Sequence, residues 1–240
     1  MQTPALAPLP ARVSVILTCT NAAAYVGEAI ESVLVQSRPC DELIVVDDGS
    51  DDTSAQVIQG FGAALTCVRQ ESLGVAAARN RGVLQARGDI VAFLDAEDLW
   101  PADSLATRLA CLDAHPGLDY AFGWVEPFFS PDIPEPVRAA IGDAGLILPG
   151  RVAGSLLVRR RVFESVGLFN NSFRVGEALE WITRANAAGF RSRDVGAIVL
   201  RRRLHGTESG AHAQQAQHDY QRILRTTIGR SRLTAGRAYA

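Results

Sequence analysis

The chain has 240 residues, 48% of them hydrophobic, enough for one large core, and its 24 basic and 26 acidic residues leave a net charge of −2. That balance, with a pI of about 6.1, excludes the strongly basic surface of a nucleic-acid-binding protein, and no apolar run reaches the length of a membrane span. All 24 basic residues are arginine, which excludes a Schiff-base cofactor held by a chain lysine and a lysine-bearing phosphate loop.

The N-terminal stretch M-Q-T-P-A-L-A-P-L-P has neither a basic n-region nor an apolar h-region, so a cytoplasmic protein is expected. Cys19, Cys40, Cys67 and Cys111 are far apart and form no C-x-x-C pair, which argues for reduced thiols and against a zinc site.

Val13 to Thr18 is a β-branched run of the kind a buried first strand uses, and Asn21 follows it. Ala22 to Gln36 carries Val26, Ala29, Ile30 and Val33 at helical spacing. Asp41 to Val46 reads as a second buried strand that ends in Asp47 and Asp48, with a helix expected over Ala55 to Phe61. Leu65 to Arg69 is a third, shorter strand. It leads to a helix over Val75 to Ala86 that holds Arg79 and Asn80, and Ile90 to Leu94 makes the fourth strand. Strand and helix therefore alternate four times, which implies a parallel sheet with right-handed crossovers. Ligands bind such sheets beyond the carboxyl ends of the strands.

The fourth strand stops abruptly in Asp95, Glu97 and Asp98. Three acids in four residues repel one another unless donors or a cation neutralise them, and hard divalent cations prefer oxygen ligands. The plainer reading is a solvated acidic turn, with Asp98 capping a helix that begins near Pro101. A second acidic strand end, at Asp47 and Asp48, lies on the same expected edge of the sheet and favours a site.

The series V-S-V-I-L-T-C-T-N, E-L-I-V-V-D-D-G-S-D-D-T, G-V-A-A-A-R-N-R-G and I-V-A-F-L-D-A-E-D-L-W-P resembles the nucleotide-binding half of inverting family 2 glycosyltransferases, over about Arg12 to Leu112. The resemblance implies a single-domain α/β, Rossmann-like nucleotide-diphospho-sugar transferase fold, with a mostly parallel central sheet flanked by helices. It implies a nucleotide-diphosphate-sugar donor, most simply a UDP-sugar, and a divalent cation, Mn²⁺ or Mg²⁺. Thr18 and Asn21 are expected to line the nucleotide pocket, Asp47 or Asp48 to bond the base, and Arg79 and Asn80 to lie near the donor. Asp95 is expected at the ribose, and Glu97 and Asp98 at the metal. Glu97 stands where the family usually has Asp, one methylene longer.

Glu126 to Gly150 is proline-rich and contains little that reads as a strand, though Val137 to Ile141 suits a helical turn. From Gly150 the pattern matches a family strand followed by a short helix that exits at Gly167-Leu168-Phe169. A further helix opens at Glu177, where the family usually has an adjacent Glu-Asp pair whose Asp is the base. Ala178 holds that Asp position here, which leaves Glu177 and Glu180 as candidate bases, unless both are simply acidic residues favoured in a helix's first turn. Ala197 to Leu200 reads as a strand running into Arg201, Arg202 and Arg203, either a solvated patch or a diphosphate clamp. By the same resemblance His205 is a metal or phosphate ligand.

The expected division is a leader at 1–11, a glycosyltransferase domain at 12–205 and a basic tail at 206–240. Within the domain, 12–125 serves the donor and 126–205 the acceptor. The acceptor itself, whether saccharide, lipid-linked or peptide, is not specified. The tail, with Arg222, Arg225, Arg230, Arg232 and Arg237, is expected to pack on the domain, exchange in a homodimer or dock peripherally on anionic lipid. The function expected is metal-dependent, inverting sugar transfer to an acceptor hydroxyl. The alternative is a nucleotide-sugar-binding protein that has lost catalysis.

Overall fold

The computed structural model describes residues 11–131, 133–136, 138 and 147–204. His205, the tail and most of the leader lie outside the described residues, as does most of the turn expected at 137–141.

Strands β1 (Val13–Cys19), β2 (Glu42–Asp48), β3 (Thr66–Gln70) and β4 (Ile90–Asp95) run parallel in the order β3-β2-β1-β4. Helices α1 (Val26–Leu34), α2 (Ser54–Gln59) and α3 (Val75–Gln85) connect them, as the alternation predicts. The sheet continues through β5 (Tyr120–Phe129), β6 (Leu148–Pro149), β7 (Leu157–Arg159) and β8 (Ser192–Leu204), which makes eight strands among the described residues. In this second part β7 is antiparallel to β4 and to β5, whereas β8 pairs parallel with β5. Helices α4 (Ser104–Ala114), α5 (Arg161–Val166) and α6 (Glu177–Ala187) complete the layers.

Side-chain alternation along the central strands divides the core. Val13, Val15 and Leu17 of β1, with Ile90, Ala92 and Leu94 of β4, pack against α1 and α4. Ile16, Val91 and Phe93 point to the opposite face, where Phe163, Phe169 and Trp181 close over them. Each fully buried Val, Ile or Leu contributes about 1.5–3 kcal/mol, so the central strands, buried on both faces, are the most strongly fixed part of the sheet. Gly82 lets α3 lie close on β1, since a Cβ there would meet Ile16 Cγ2 at 2.3 Å.

Two expectations are corrected here. Residues 126–129, expected to be irregular, extend β5 and pair with Arg201 to Leu204, so the proline-rich stretch begins as a strand. Pro127 is tolerated at the register position opposite Arg202. Asp98 does not cap the next helix: α4 starts at Ser104 after Asp103, and the Asp98 carboxylate accepts the Arg203 backbone N–H at 2.9 Å instead.

Candidate active site

The carboxyl ends of β1 and β4 open onto a cavity of about 710 Å³, well within the usual size for a small-molecule site. One wall is made of Thr18, Thr20 and Ala22 at the end of β1 and just beyond it, and of Asp95, Ala96, Glu97 and Asp98 at the end of β4 and just beyond it. The other consists of Leu148 to Gly154, Arg174 to Leu179, and Leu200, Arg202 and Leu204 of β8.

Register explains how the first wall is built. Thr18 and Asp95 are direct neighbours across the β1–β4 pair, and both follow the alternation of Ile16 and Phe93 toward α3 and α6. There the Thr18 hydroxyl donates to Asp95 Oδ1 at 3.0 Å, and Arg79 Nη2 donates to both Asp95 oxygens at 2.6 and 2.8 Å. The other Arg79 terminal nitrogen donates to Glu177, the first residue of α6. Arg79 is only 4% exposed. Burial alone would lower its pKa, but Asp95 and Glu177 outweigh that effect and raise it.

Asp98 is 5% exposed, and burial, reinforced by the charge of Asp95, pushes its carboxyl up to about 8. The Arg203 N–H and the nearby Arg202 act in the opposite direction without restoring the ordinary value. Such a carboxyl, beside Asp95 and Glu97 on the cavity wall, gains its charge readily when a cation is supplied. Its hard oxygens and that of Glu97 suit Mn²⁺ or Mg²⁺. Among the described residues no cluster of three ligating side chains is preformed.

The remaining expected site residues are distributed as follows. Asp48 is engaged through both oxygens, with Oδ1 accepting from Gln70 Nε2 and the Leu73 N–H and Oδ2 accepting the Gly74 N–H, so it holds the turn that precedes α3. Asp47 is fully buried; its Oδ1 accepts the Ser50 N–H, and its Oδ2 has no hydrogen bond, since Arg69 Nε stands off at 3.5 Å. Gly49 between this pair and the next turn has φ +73, and a Cβ there would lie 2.6 Å from Ser72 N. Asn21 takes a positive φ of 50 and accepts the Asp51 N–H. Asn80 does not line the cavity: its amide bonds the Phe169 N–H and carbonyl and Asn171, pinning that loop to α3. Glu180 does not line it either, being held through both oxygens by Arg184 at 2.9 and 3.0 Å.

Of the three consecutive arginines only Arg202 faces the cavity. Arg201 pairs with Glu126, while Arg203 is buried over Tyr25 and Phe128 and donates to the Glu97 carbonyl at 2.8 Å. Period-2 alternation in the sequence already separates 202 from its neighbours. The lining residues Arg151 and Arg174, missed in the sequence, lie in irregular segments with no periodicity to flag them.

A parallel sheet with an acidic edge, closed by a second mixed half over a nucleotide-sized cavity, defines the A-type class of Rossmann-like glycosyltransferases. The pattern of Glycosyl transferase family 2 matches residues 14–166, and the chain belongs to that family. It is 39% identical over 101 residues to a putative teichuronic acid biosynthesis glycosyltransferase of Bacillus subtilis, a match spanning 40% of each chain. It is 28% identical over 238 residues to the succinoglycan biosynthesis protein ExoU of Rhizobium meliloti, covering 85% of this chain and 65% of that one. The chain thus spans less than two thirds of the length of these curated relatives. Among solved structures, the mannosyltransferase PcManGT of Pyrobaculum calidifontis, in complex with GDP-Man and Mn²⁺, superposes with a TM-score of 0.72 at 22% identity, over 91% of this chain and 64% of that one. S. aureus TarS 1-349 in complex with UDP gives 0.63 at 19% identity, over 80% and 60%. Among the described residues no helix is long and apolar enough to cross a membrane.

Proposed function

We propose that residues 12–205 form a metal-dependent, inverting glycosyltransferase domain that moves a sugar from a nucleotide-diphosphate donor, UDP-linked in the simplest case, to an acceptor hydroxyl. The observation that carries this is the two-walled cavity, with Thr18, Asp95, Glu97 and Asp98 on one side and Glu177 on the other. On this reading Thr18 and Asp95 receive the ribose, and by resemblance Asp47 would bond the base, which requires its buried carboxylate, now beside Arg69 at 3.5 Å, to become accessible. Glu97 and Asp98 would hold the divalent cation, with His205 as a further ligand by resemblance. That cation supplies charge stabilisation for the departing diphosphate. Complexes of two structural neighbours with UDP and with GDP-Man and Mn²⁺ support the donor class and the cation.

Glu177 is assigned as the base because it is the carboxylate of α6 that lines the cavity. It takes the proton from the acceptor hydroxyl as the oxygen attacks the anomeric carbon from the face opposite the diphosphate. Ala178 at the usual base position favours a second reading, a nucleotide-sugar-binding protein without turnover. Incubation with Mn²⁺ and a panel of UDP- and GDP-sugars separates the two. Release of nucleotide supports the enzyme, whereas tight UDP binding with no release from any donor supports the binding protein. A cytoplasmic setting, with the arginines of 206–240 touching anionic lipid, belongs to the same proposal.

A further inference from the structure

Resting on that reading, we propose that Arg79 is a positioning residue that couples donor binding at Asp95 to the orientation of the base Glu177. One guanidinium holds both acids, Asp95 from the end of β4 and Glu177 from the start of α6. Thr18 donates to the same Asp95 Oδ1 that Arg79 holds, so Thr18, Asp95, Arg79 and Glu177 form one continuous chain of polar contacts along the cavity. Arg79 Nε is buried and has no acceptor, so this arginine is directed at the two carboxylates and leaves its remaining donor unsatisfied. An arginine with a purely structural role would use that nitrogen, as Arg108 does on the Ser104 carbonyl.

Hydroxyl groups of a donor placed at Asp95 would compete for the oxygens that Arg79 now occupies, and the incoming diphosphate offers the guanidinium another anion. Either change alters the hold on Glu177. The base is therefore aimed by a side chain that itself senses the donor, and transfer depends on Arg79 more than donor binding does. A planar guanidinium bridges the two carboxylates with separate nitrogens in a fixed fork, whereas an ammonium offers a single nitrogen on a shorter reach and holds the pair less well.

The test uses the full chain with Mn²⁺ and whichever of UDP-glucose, UDP-N-acetylglucosamine or GDP-mannose the wild type consumes fastest. Nucleotide release with water as acceptor and nucleotide affinity by calorimetry are read separately. Arg79→Lys should keep affinity within about 3-fold while kcat falls by about 10-fold or more. The double variant with Glu177→Gln should be no slower than the slower single variant, because the two groups act as one unit. Wild-type turnover in Arg79→Lys, or effects that multiply in the double variant, overturns the coupling. If Arg79→Lys melts too low to assay, Asp95→Asn serves instead: a fall in kcat beyond the loss of affinity supports the coupling, and a change in affinity alone overturns it. A wild-type chain that binds and consumes no nucleotide sugar defeats the glycosyltransferase reading and this inference with it. An active wild type with an unaffected Arg79→Lys defeats the inference alone.

Discussion

Arg79 and Arg108 are both buried, on helices packed against opposite faces of the same sheet, and their surroundings differ in kind. Arg79 has two carboxylates, an unsatisfied Nε and a cavity beside it. Arg108 pairs with no carboxylate among the described residues. Its three nitrogens reach the Ser104 carbonyl, the Leu156 carbonyl and the Ser104 hydroxyl at 2.8–3.0 Å, and its guanidinium lies 4.4 Å over the Trp100 ring. Burial lowers the Arg108 pKa to about 9, whereas its acids raise that of Arg79. The region around Arg108 gives each guanidinium nitrogen an acceptor and joins α4 to the segment before β7, as a fold element does. The region around Arg79 leaves a buried donor unsatisfied and sets both of its acids on a cavity wall, as a site does.

Substitutions can break this contrast. The largest expected effect belongs to Asp98→Ala, which should abolish metal-dependent UDP binding, because loss of one anionic ligand leaves the cation too weakly held. Calorimetry with and without Mn²⁺ reads it, and unchanged binding would move the cation elsewhere. Glu177→Gln should cut transfer by about 10²-fold while leaving UDP affinity near wild type, the size expected for losing general-base assistance. Glu180→Gln should do less, since its carboxylate is held by Arg184 off the cavity. A reversed order of these two variants would reassign the base.

On the other side of the comparison, Arg108→Ala should cost about 3 kcal/mol, from the cavity left behind and the unpaired Leu156 carbonyl. In a chain of this size that lowers Tm by about 6–12 °C while activity per folded molecule is retained. Loss of activity with unchanged Tm would erase the distinction between the two arginines. For UDP affinity alone, Asp95→Asn keeps an acceptor oxygen for a ribose hydroxyl and should cost less than Asp98→Ala, while the loss of the charge paired with buried Arg79 should lower kcat beyond the change in affinity.

The first half of the fold was legible because each parallel strand is a continuous apolar run ending in polar residues, and the helices between carry a 3.6 period. The same pattern put Asn21, Asp47, Asp48 and the Asp95 to Asp98 cluster on one edge, of which Asp95, Glu97 and Asp98 line the cavity, while Thr18 was indicated by the family resemblance. The second half was harder to read for physical reasons. β5 contains Pro127 and pairs with β8, distant in sequence, so its local composition conceals a strand that long-range register creates. The partners of Asn80 and Glu180 were hidden for a similar reason: Phe169 and Asn171 reach Asn80 only through the packing of their loop on α3, and Arg184 reaches Glu180 by a four-residue helix spacing that leaves the cavity side unspecified. That Arg79 would bridge Asp95 and Glu177 required knowing that α3 and α6 share a face of the sheet.

The central claim is that the acidic edge after β4 binds and activates a nucleotide sugar with the help of a divalent cation. Its most direct test is nucleotide release by the full chain from a panel of UDP- and GDP-sugars, measured with Mn²⁺, with chelator, and in Asp98→Ala. The account predicts release from at least one donor with Mn²⁺, and none with chelator or in the variant. Release that is indifferent to both chelator and Asp98→Ala would contradict it.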